Sequence, residues 1–367
     1  MKRRKSSKGI IGVMVVIIVA AGAFLAGQLW DIDLPWEDTS SGSELSQTES
    51  SSEPSEESSL PSSEGSESGE EYSNTESESS QESSEESSQE SSEESSAESS
   101  GESSVADESY EYIEKTEADI GRGDLILVNR EHEYVFGEND EEEFFSIYQY
   151  KNKNYKVKNI TVSARMKVIE AMNVMFDDFM AATGKKDVNI ISGYRTFDSQ
   201  KSLYDRRVES EGVEATDKYT ALPGFSEHHS GYAVDFAIYT SEGLYYDFYG
   251  QDEYKWVLDH CYEYGFIERY QKEKKELTGF EAEPWHFRYV GAPHAYAMYD
   301  KELCHEEYME LLKGYTFEGE HLEIKDHDGA EYEIYYVEGT SVPVPKDAEY
   351  EISGNNESGF IVTVKRG

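Results

Sequence analysis

Basic residues are missing from one long stretch of this chain: no Lys or Arg occurs between Asp31 and Glu114. The 367 residues carry a formal net charge of −44, with 33 Lys and Arg against 77 Asp and Glu. Phosphate binding needs a basic face, so composition excludes nucleic acid as an expected partner. Cysteine is scarce as well, with only Cys261 and Cys304. Two cysteines are too few for a disulfide framework. They either form one bridge in an oxidising exterior or remain free thiols. No cysteine stands directly after the N-terminal apolar run, which argues against a lipoprotein.

That run extends from Gly9 to Gly27, after Lys2, Arg3, Arg4, Lys5 and Lys8. Its length of about 19 residues just suffices to span a bilayer as a helix. Basic residues before it and acidic residues after it predict a cytoplasmic tail over 1–8, a membrane anchor over 9–30 and the rest of the chain outside. Trp30 and Trp36 suit the outer interface. The competing reading is a cleaved signal peptide with Ala21-Gly22-Ala23 at its small-residue site. The apolar run is long for a signal core, which favours the anchor.

Ser and Glu then dominate up to about Glu108. Glu82, Glu86, Glu90, Glu94, Glu98 and Glu102 each open a Glu-Ser-Ser-x unit. The unit offers no apolar stripe, and like charges four apart repel along a helix. Such a segment cannot bury enough surface to offset the entropy of ordering. Residues 31–116 are therefore expected to be a disordered stalk, stretched by mutual repulsion. Glycosylation of its serines is the alternative use.

Folded protein is expected from Glu117. Leu125 to Asn129 reads as a strand. Arg165 to Ala182 reads as a helix with Met166, Ile169, Met172, Val174, Met175, Phe176 and Phe179 on its apolar stripe and Gly184 as the stop. A strand over Val188 to Ile191 and helices over Asp198 to Val208, Glu253 to Tyr264 and Pro293 to Leu312 follow. From Tyr315 the pattern becomes short alternating runs separated by turns such as Asp328-Gly329. This predicts a region over 117–313 followed by a small β domain over 314–367.

Two runs in the central region stand apart. The first is Ser226-Glu227-His228-His229-Ser230-Gly231-Tyr232-Ala233-Val234-Asp235-Phe236, a turn leading into a β-prone segment. A lone carboxylate inside such a segment is costly to bury, and a metal partner removes that cost. The second is Glu283-Pro284-Trp285-His286-Phe287-Arg288-Tyr289. His228, Asp235 and His286 together supply two imidazoles and one carboxylate, which leaves a fourth position for water in the manner of a catalytic zinc site. Glu283, three residues before His286, is placed to serve that water as general base. From spacing alone His228 and His229 are equivalent candidates. The remaining histidines default to structural roles.

The pattern Ser-x-His-x-x-Gly-x-Ala-x-Asp followed by Glu-x-x-His resembles the VanY-type zinc D-alanyl-D-alanine carboxypeptidases. A third matching block, Ser192-Gly193-Tyr194-Arg195-Thr196 with Gln200, precedes it. The resemblance covers about Asp187 to Gly291. It selects His228 over His229, which is then expected at the rim. It implies that Arg195 holds the substrate carbonyl and developing oxyanion, and that Gln200 and Ser226 bind substrate. Trp285 either walls the pocket or packs. The implied fold class is α+β, a small antiparallel sheet flanked by helices, as in Hedgehog-like DD-peptidases. The implied reaction is removal of the C-terminal D-Ala from peptidoglycan stem peptides with Zn2+ as cofactor. A peptidoglycan endopeptidase of the same fold and a non-catalytic wall-binding protein are the competing readings. No protein partner is implied. The expected location is the cell membrane, single-pass, with the catalytic domain facing the wall.

Overall fold

A long helix lying against a mixed sheet organises the centre of the molecule. The structure is a computed structural model and describes residues 109–138 and 140–367. The expected anchor, and most of the expected stalk, lie outside the described residues. Among those described, no helix is long and apolar enough to cross a membrane.

In chain order the strands are β1 (Tyr110–Glu114), β2 (Phe144–Ser146), β3 (Lys156–Val157), β4 (Ser163–Arg165), β5 (Val188–Ser192), β6 (Ala233–Tyr239), β7 (Tyr245–Asp247), β8 (Phe266–Glu268), β9 (His286–Tyr289), β10 (Leu322–Lys325), β11 (Glu331–Glu338), β12 (Ser341–Pro345), β13 (Glu349–Gly354) and β14 (Gly359–Arg366). The helices are α1 (Ile147–Tyr150), α2 (Met166–Thr183), α3 (Phe197–Glu211), α4 (Val213–Thr216), α5 (Lys255–His260), α6 (Lys275–Thr278), α7 (Ala292–Asp300) and α8 (His305–Leu312). This is an α+β fold.

The central sheet has the order β3-β5-β6-β9-β8, with β7 added beside β6. Its β3–β5 pair is parallel and its other pairs are antiparallel. Side chains alternate along a strand. Val234, Phe236 and Ile238 of β6 and Phe287 of β9 therefore share one face and enter the core with Ile169, Met172, Met175, Phe176 and Phe179 of α2. Phe236 stacks on Phe287 with ring centroids 4.5 Å apart. Asp235, His286 and Arg288 are left on the opposite face, where Asp235 pairs with His286 and Ala233 with Arg288.

α2 ends as its sequence predicts. Gly184 takes a left-handed conformation at φ 75° and caps the helix through its N–H to the Met180 carbonyl. Val174 departs from the expected stripe and faces solvent. The helix expected over 253–264 is broken into a 3-10 turn (Asp252–Tyr254), α5, and a second 3-10 turn (Cys261–Tyr264). The single helix expected over 293–312 is two, α7 and α8. Glu302 sits between them at φ 55°, a conformation that no helix continues through.

Leu125 to Asn129 is buried but joins no sheet. Its backbone is satisfied elsewhere: Leu125 donates to Ser353 Oγ and Leu127 to the Asn355 carbonyl. The C-terminal strands form a four-stranded sheet, β10-β11-β14-β13, while β12 pairs with β1. Tyr110–Glu114 is thus a strand rather than the end of a disordered stalk. Ile113 packs with Val342, Val344 and Phe360, and Tyr110 meets Phe317 edge-on at 4.9 Å. The other face of the C-terminal sheet shares a core with Leu125, Leu127, α7 and α8 through Leu322, Ile334, Tyr336 and Ile361. The change of sequence pattern near 314 therefore marks no break between cores. Cys261 and Cys304 are both free and buried.

Gly231 turns the chain into β6. Its φ is +70°, and a Cβ there would lie 2.4 Å from the Phe144 ring. Gly231→Ala is expected to cost at least about 1–2 kcal/mol from the left-handed backbone alone, with more from the clash. Thermal unfolding checks this: the substituted protein should melt several degrees lower, and an unchanged Tm would contradict the turn geometry.

Candidate metal centre and active site

Three short segments converge on the face of the sheet opposite α2. The end of β5 delivers Ser192-Gly193-Tyr194-Arg195. A 3-10 turn, Glu227–Ser230, delivers His228 just before β6. The turn leading into β9 delivers Glu283 and His286. Gly193 is needed for the first approach, because a Cβ there would lie 2.2 Å from the Ser163 carbonyl oxygen. The Tyr194 N–H donates to that same oxygen at 2.7 Å, and the Arg195 N–H donates to the His228 carbonyl at 3.1 Å. The arginine block and the histidine block are thus tied by backbone.

His228, Asp235 and His286 come together, their candidate ligand atoms all within 4.8 Å of one another. His228 Nδ1 lies 2.7 Å from the Gly193 carbonyl and must donate to it, which leaves the Nε2 lone pair free. That Nε2 is 3.2 Å from Asp235 Oδ2. His286 Nδ1 is 3.0 Å from Asp235 Oδ1, and its Nε2 is 3.2 Å from Glu227 Oε2. Tetrahedral zinc at ~2.0–2.1 Å from each ligand sets ligand atoms about 3.3–3.4 Å apart. The donor set and its spacing fit such an ion.

The electrostatics agree. Burial is the largest influence on His286 and pulls its pKa down, but its bonds to Asp235 and Glu227 outweigh that and lift it to about 9. Two carboxylates facing one imidazole call for positive charge between them. Burial lowers His228, and the nearby carboxylate of Asp235 opposes this only in part. Burial would raise Asp235, but His228 and His286 hold it well below the usual carboxylate range.

Glu283 is buried, and its Oε1 has no hydrogen-bond partner. Burial pushes its pKa up to about 8, against the attraction of His286. It is close enough to Asp235 and Arg195 to interact with both. A buried carboxyl with an oxygen left without a partner, beside a cluster of ligands, has the character of a proton acceptor held for a reaction.

Arg195 donates through Nη1 to Gln200 Oε1 at 2.6 Å and through Nη2 to Ser192 Oγ at 2.8 Å; Nη2 also lies 4.0 Å from Asp235 Oδ2. Gln200, on the first turn of α3, is buried and donates through Nε2 to the Ala221 carbonyl at 2.7 Å. One donor and one acceptor of its amide are engaged in this way, and Gln200 thereby holds the guanidinium. Ser226 is buried beneath the 3-10 turn, where its carbonyl accepts the His229 N–H. Trp285 is half-buried, packs on the main core and meets Tyr249 edge-on at 5.9 Å.

His229 is not at the rim. It is fully buried among Tyr134, Phe136 and Phe197. Its Nε2 accepts from the Gly224 N–H at 3.0 Å, so its Nδ1 carries the proton and donates to the Arg195 carbonyl at 2.7 Å. Burial lowers its pKa to about 4. It clips the arginine turn to the loop before the metal motif.

Sequence reasoning missed the charges behind the ligands: Glu227, Arg269, Arg288 and Glu306. The signal that marked Asp235 was present for Arg288, a charge inside an apolar strand. It was present in weaker form for Arg269, at the end of β8.

Comparison with known proteins follows the same outline. The VanY family profile, described as D-alanyl-D-alanine carboxypeptidase, matches residues 161–292. A D-alanyl-D-alanine carboxypeptidase of Enterococcus faecium is 34% identical over 257 residues, covering 69% of this chain and 78% of that protein. The bifunctional D-Ala-D-Ala dipeptidase and carboxypeptidase VanXYC of Enterococcus gallinarum is 36% identical over 141 residues, 37% of this chain and 74% of its own length. Among solved structures, the D,D-dipeptidase VanXYg in complex with a D-Ala-D-Ala phosphinate analog superposes with a TM-score of 0.62 at 30% identity, over 70% of this chain and 99% of that one. With its ligand cluster, its arginine turn and more than three quarters of a related carboxypeptidase aligned along it, the chain belongs to the VanY family of D-alanyl-D-alanine carboxypeptidases.

Proposed function

We propose that this protein is a zinc-dependent D,D-carboxypeptidase that removes the C-terminal D-Ala from D-Ala-D-Ala-ended peptidoglycan stem peptides. One observation carries the reading: the His228, Asp235 and His286 ligand atoms cluster beside a buried Glu283 carboxyl whose Oε1 has no hydrogen-bond partner. The Hedgehog-like DD-peptidase arrangement is the finer fold reading, supported by α2 packed on one face of the central sheet and the site on the other.

His228 through Nε2, Asp235 through its carboxylate and His286 through Nδ1 would hold the ion. Bound there, zinc supplies Lewis-acid polarisation of water and of the scissile carbonyl. Glu283 takes the proton from the attacking water. Burial raises the proton affinity of this carboxyl, so it can hold the proton it takes from water until the leaving group needs it. The same carboxyl then protonates the departing D-Ala nitrogen as the C–N bond breaks. Arg195, held in direction by Gln200 and Ser192, presents fixed positive charge to the oxyanion. Trp285, next to His286 in sequence and edge-on to Tyr249, is assigned here to the pocket wall. Ser226 supports the histidine turn, and direct contact with substrate is not required of it.

The placement of this activity is also part of the proposal. The basic cluster before the apolar run over 9–27 supports a single-pass anchor over 9–30, and the Ser/Glu tract supports a spacer between membrane and wall. On intact cells, external protease should cut within the tract and release an active soluble enzyme. A protease-protected protein, or a mature N-terminus near Phe24, would contradict the anchor.

The mechanism makes a sharper demand. Glu283→Gln should keep its zinc content and lose turnover by roughly 10²–10⁴-fold, the usual worth of a positioned general base. The assay is digestion of purified muropeptides read by mass spectrometry, in which the native enzyme removes one alanine. A cut within the peptide would make the enzyme an endopeptidase. Full activity of Glu283→Gln would place the base elsewhere.

A further inference from the structure

Glu227 lies next to His228 in sequence, yet it takes no part in the chemistry above. Its side chain is entirely shielded from solvent. A carboxylate in that position is strongly disfavoured unless its charge is matched and its oxygens are bonded. Both conditions are met. Oε1 accepts from Arg269 Nε at 2.8 Å and from Arg288 Nη1 at 3.4 Å, and Oε2 lies 3.2 Å from His286 Nε2. Buried His305 is 4.0 Å away, too far for a hydrogen bond, and neither of its ring nitrogens has a bonded partner.

The arrangement continues outward. Arg269 uses its other two nitrogens on Glu306, at 2.9 and 2.6 Å, in a bidentate pair. Glu306 also accepts from Asn129 Nδ2 at 3.2 Å. Arg288 donates through Nη2 to the carbonyls of Asp124 and Ile126 at 2.8 and 3.0 Å and through Nε to the Tyr289 carbonyl at 3.0 Å. Two carboxylates and two guanidinium groups thus balance in a buried cluster. It is anchored on β9, the end of β8, α8 and the segment near Leu125. Asp124, Asn129 and Glu306 lie outside the residues 161–292 matched by the family profile.

We propose that Glu227 is the positioning residue for His286: it accepts the Nε2–H, fixes the tautomer in which Nδ1 is the metal ligand, and is itself held by Arg269 and Glu306. The inference rests on the metal reading of the preceding subsection. A histidine ligand whose far nitrogen is bonded to a carboxylate has both its ring orientation and its basicity set by that bond. Here the bond is backed by segments from both ends of the folded chain. The metal site therefore depends on α8 and on the Leu125 segment, which carry no ligand.

Nitrogen-15 NMR of the zinc-loaded full chain tests this directly. His286 should show a protonated Nε2 and a metal-shifted Nδ1. Zinc competition with a chelator gives the second readout. Glu227→Gln should weaken zinc by about 10–100-fold, the usual effect of losing such a partner, and Glu306→Gln should weaken it in the same direction by less. A purely structural role would lower Tm and leave both the tautomer and the zinc dissociation constant unchanged. Should Glu227→Gln fail to fold, the native spectrum and Glu306→Gln still decide. An unprotonated, metal-bound Nε2 in the native protein overturns the assignment. So does a zinc dissociation constant within about twofold of native in either variant that folds. A native chain that takes up no zinc would overturn the metal reading itself.

Discussion

Asp235 and His286 face each other across β6 and β9, on the side of the sheet that α2 does not cover. That register depends on the core behind it. Because side chains alternate, burying Val234, Phe236 and Phe287 under α2 obliges Asp235 and His286 to point the other way. A slip of one residue would turn Asp235 and His286 towards α2 and the phenylalanines towards the site. The apolar packing therefore sets the ligand geometry, and burial of each large side chain, worth roughly 1.5–3 kcal/mol, holds the register.

A cluster built this way concentrates charge where water is excluded, and each member is matched. Asp235 answers the two imidazoles. Glu227 answers Arg269 and Arg288, and Glu306 answers Arg269 from α8. Arg195 is turned towards the site by Gln200 and Ser192. Among the described residues, Glu283 is the carboxylate with a fully buried oxygen that has no partner. The difference matches the proposal that the others hold the site while Glu283 exchanges a proton.

The candidate ligands, which the fold brings together, stood out in the sequence because their signal is local. Asp235 is a charge in an apolar strand, and the VanY-like blocks single out His228, Glu283 and His286 within short runs. α2 was legible because a period near 3.6 and a terminal glycine are both local features. The supporting charges were not, since Glu227 meets Arg269 and Arg269 meets Glu306 only after distant segments converge. The role of His229 was misread for the same reason: its partners, Gly224 and the Arg195 carbonyl, are set by backbone turns. Leu125 to Val128 looks like a strand because its residues are apolar. Its hydrogen bonds go instead to a side chain, a guanidinium and the turn at Asn355, which no periodicity reveals. The join between Tyr110–Glu114 and β12 was hidden by the acidic tract before it, although the aromatic and branched residues there differ from that tract.

X-ray absorption at the zinc edge, on the purified folded region loaded with one equivalent of zinc, bears most directly on this account. It predicts a single site with two imidazole nitrogens, one carboxylate and a solvent oxygen as neighbours, at ~2.0–2.2 Å. A sulfur neighbour, a third imidazole or a zinc that survives His286→Ala unchanged would contradict it.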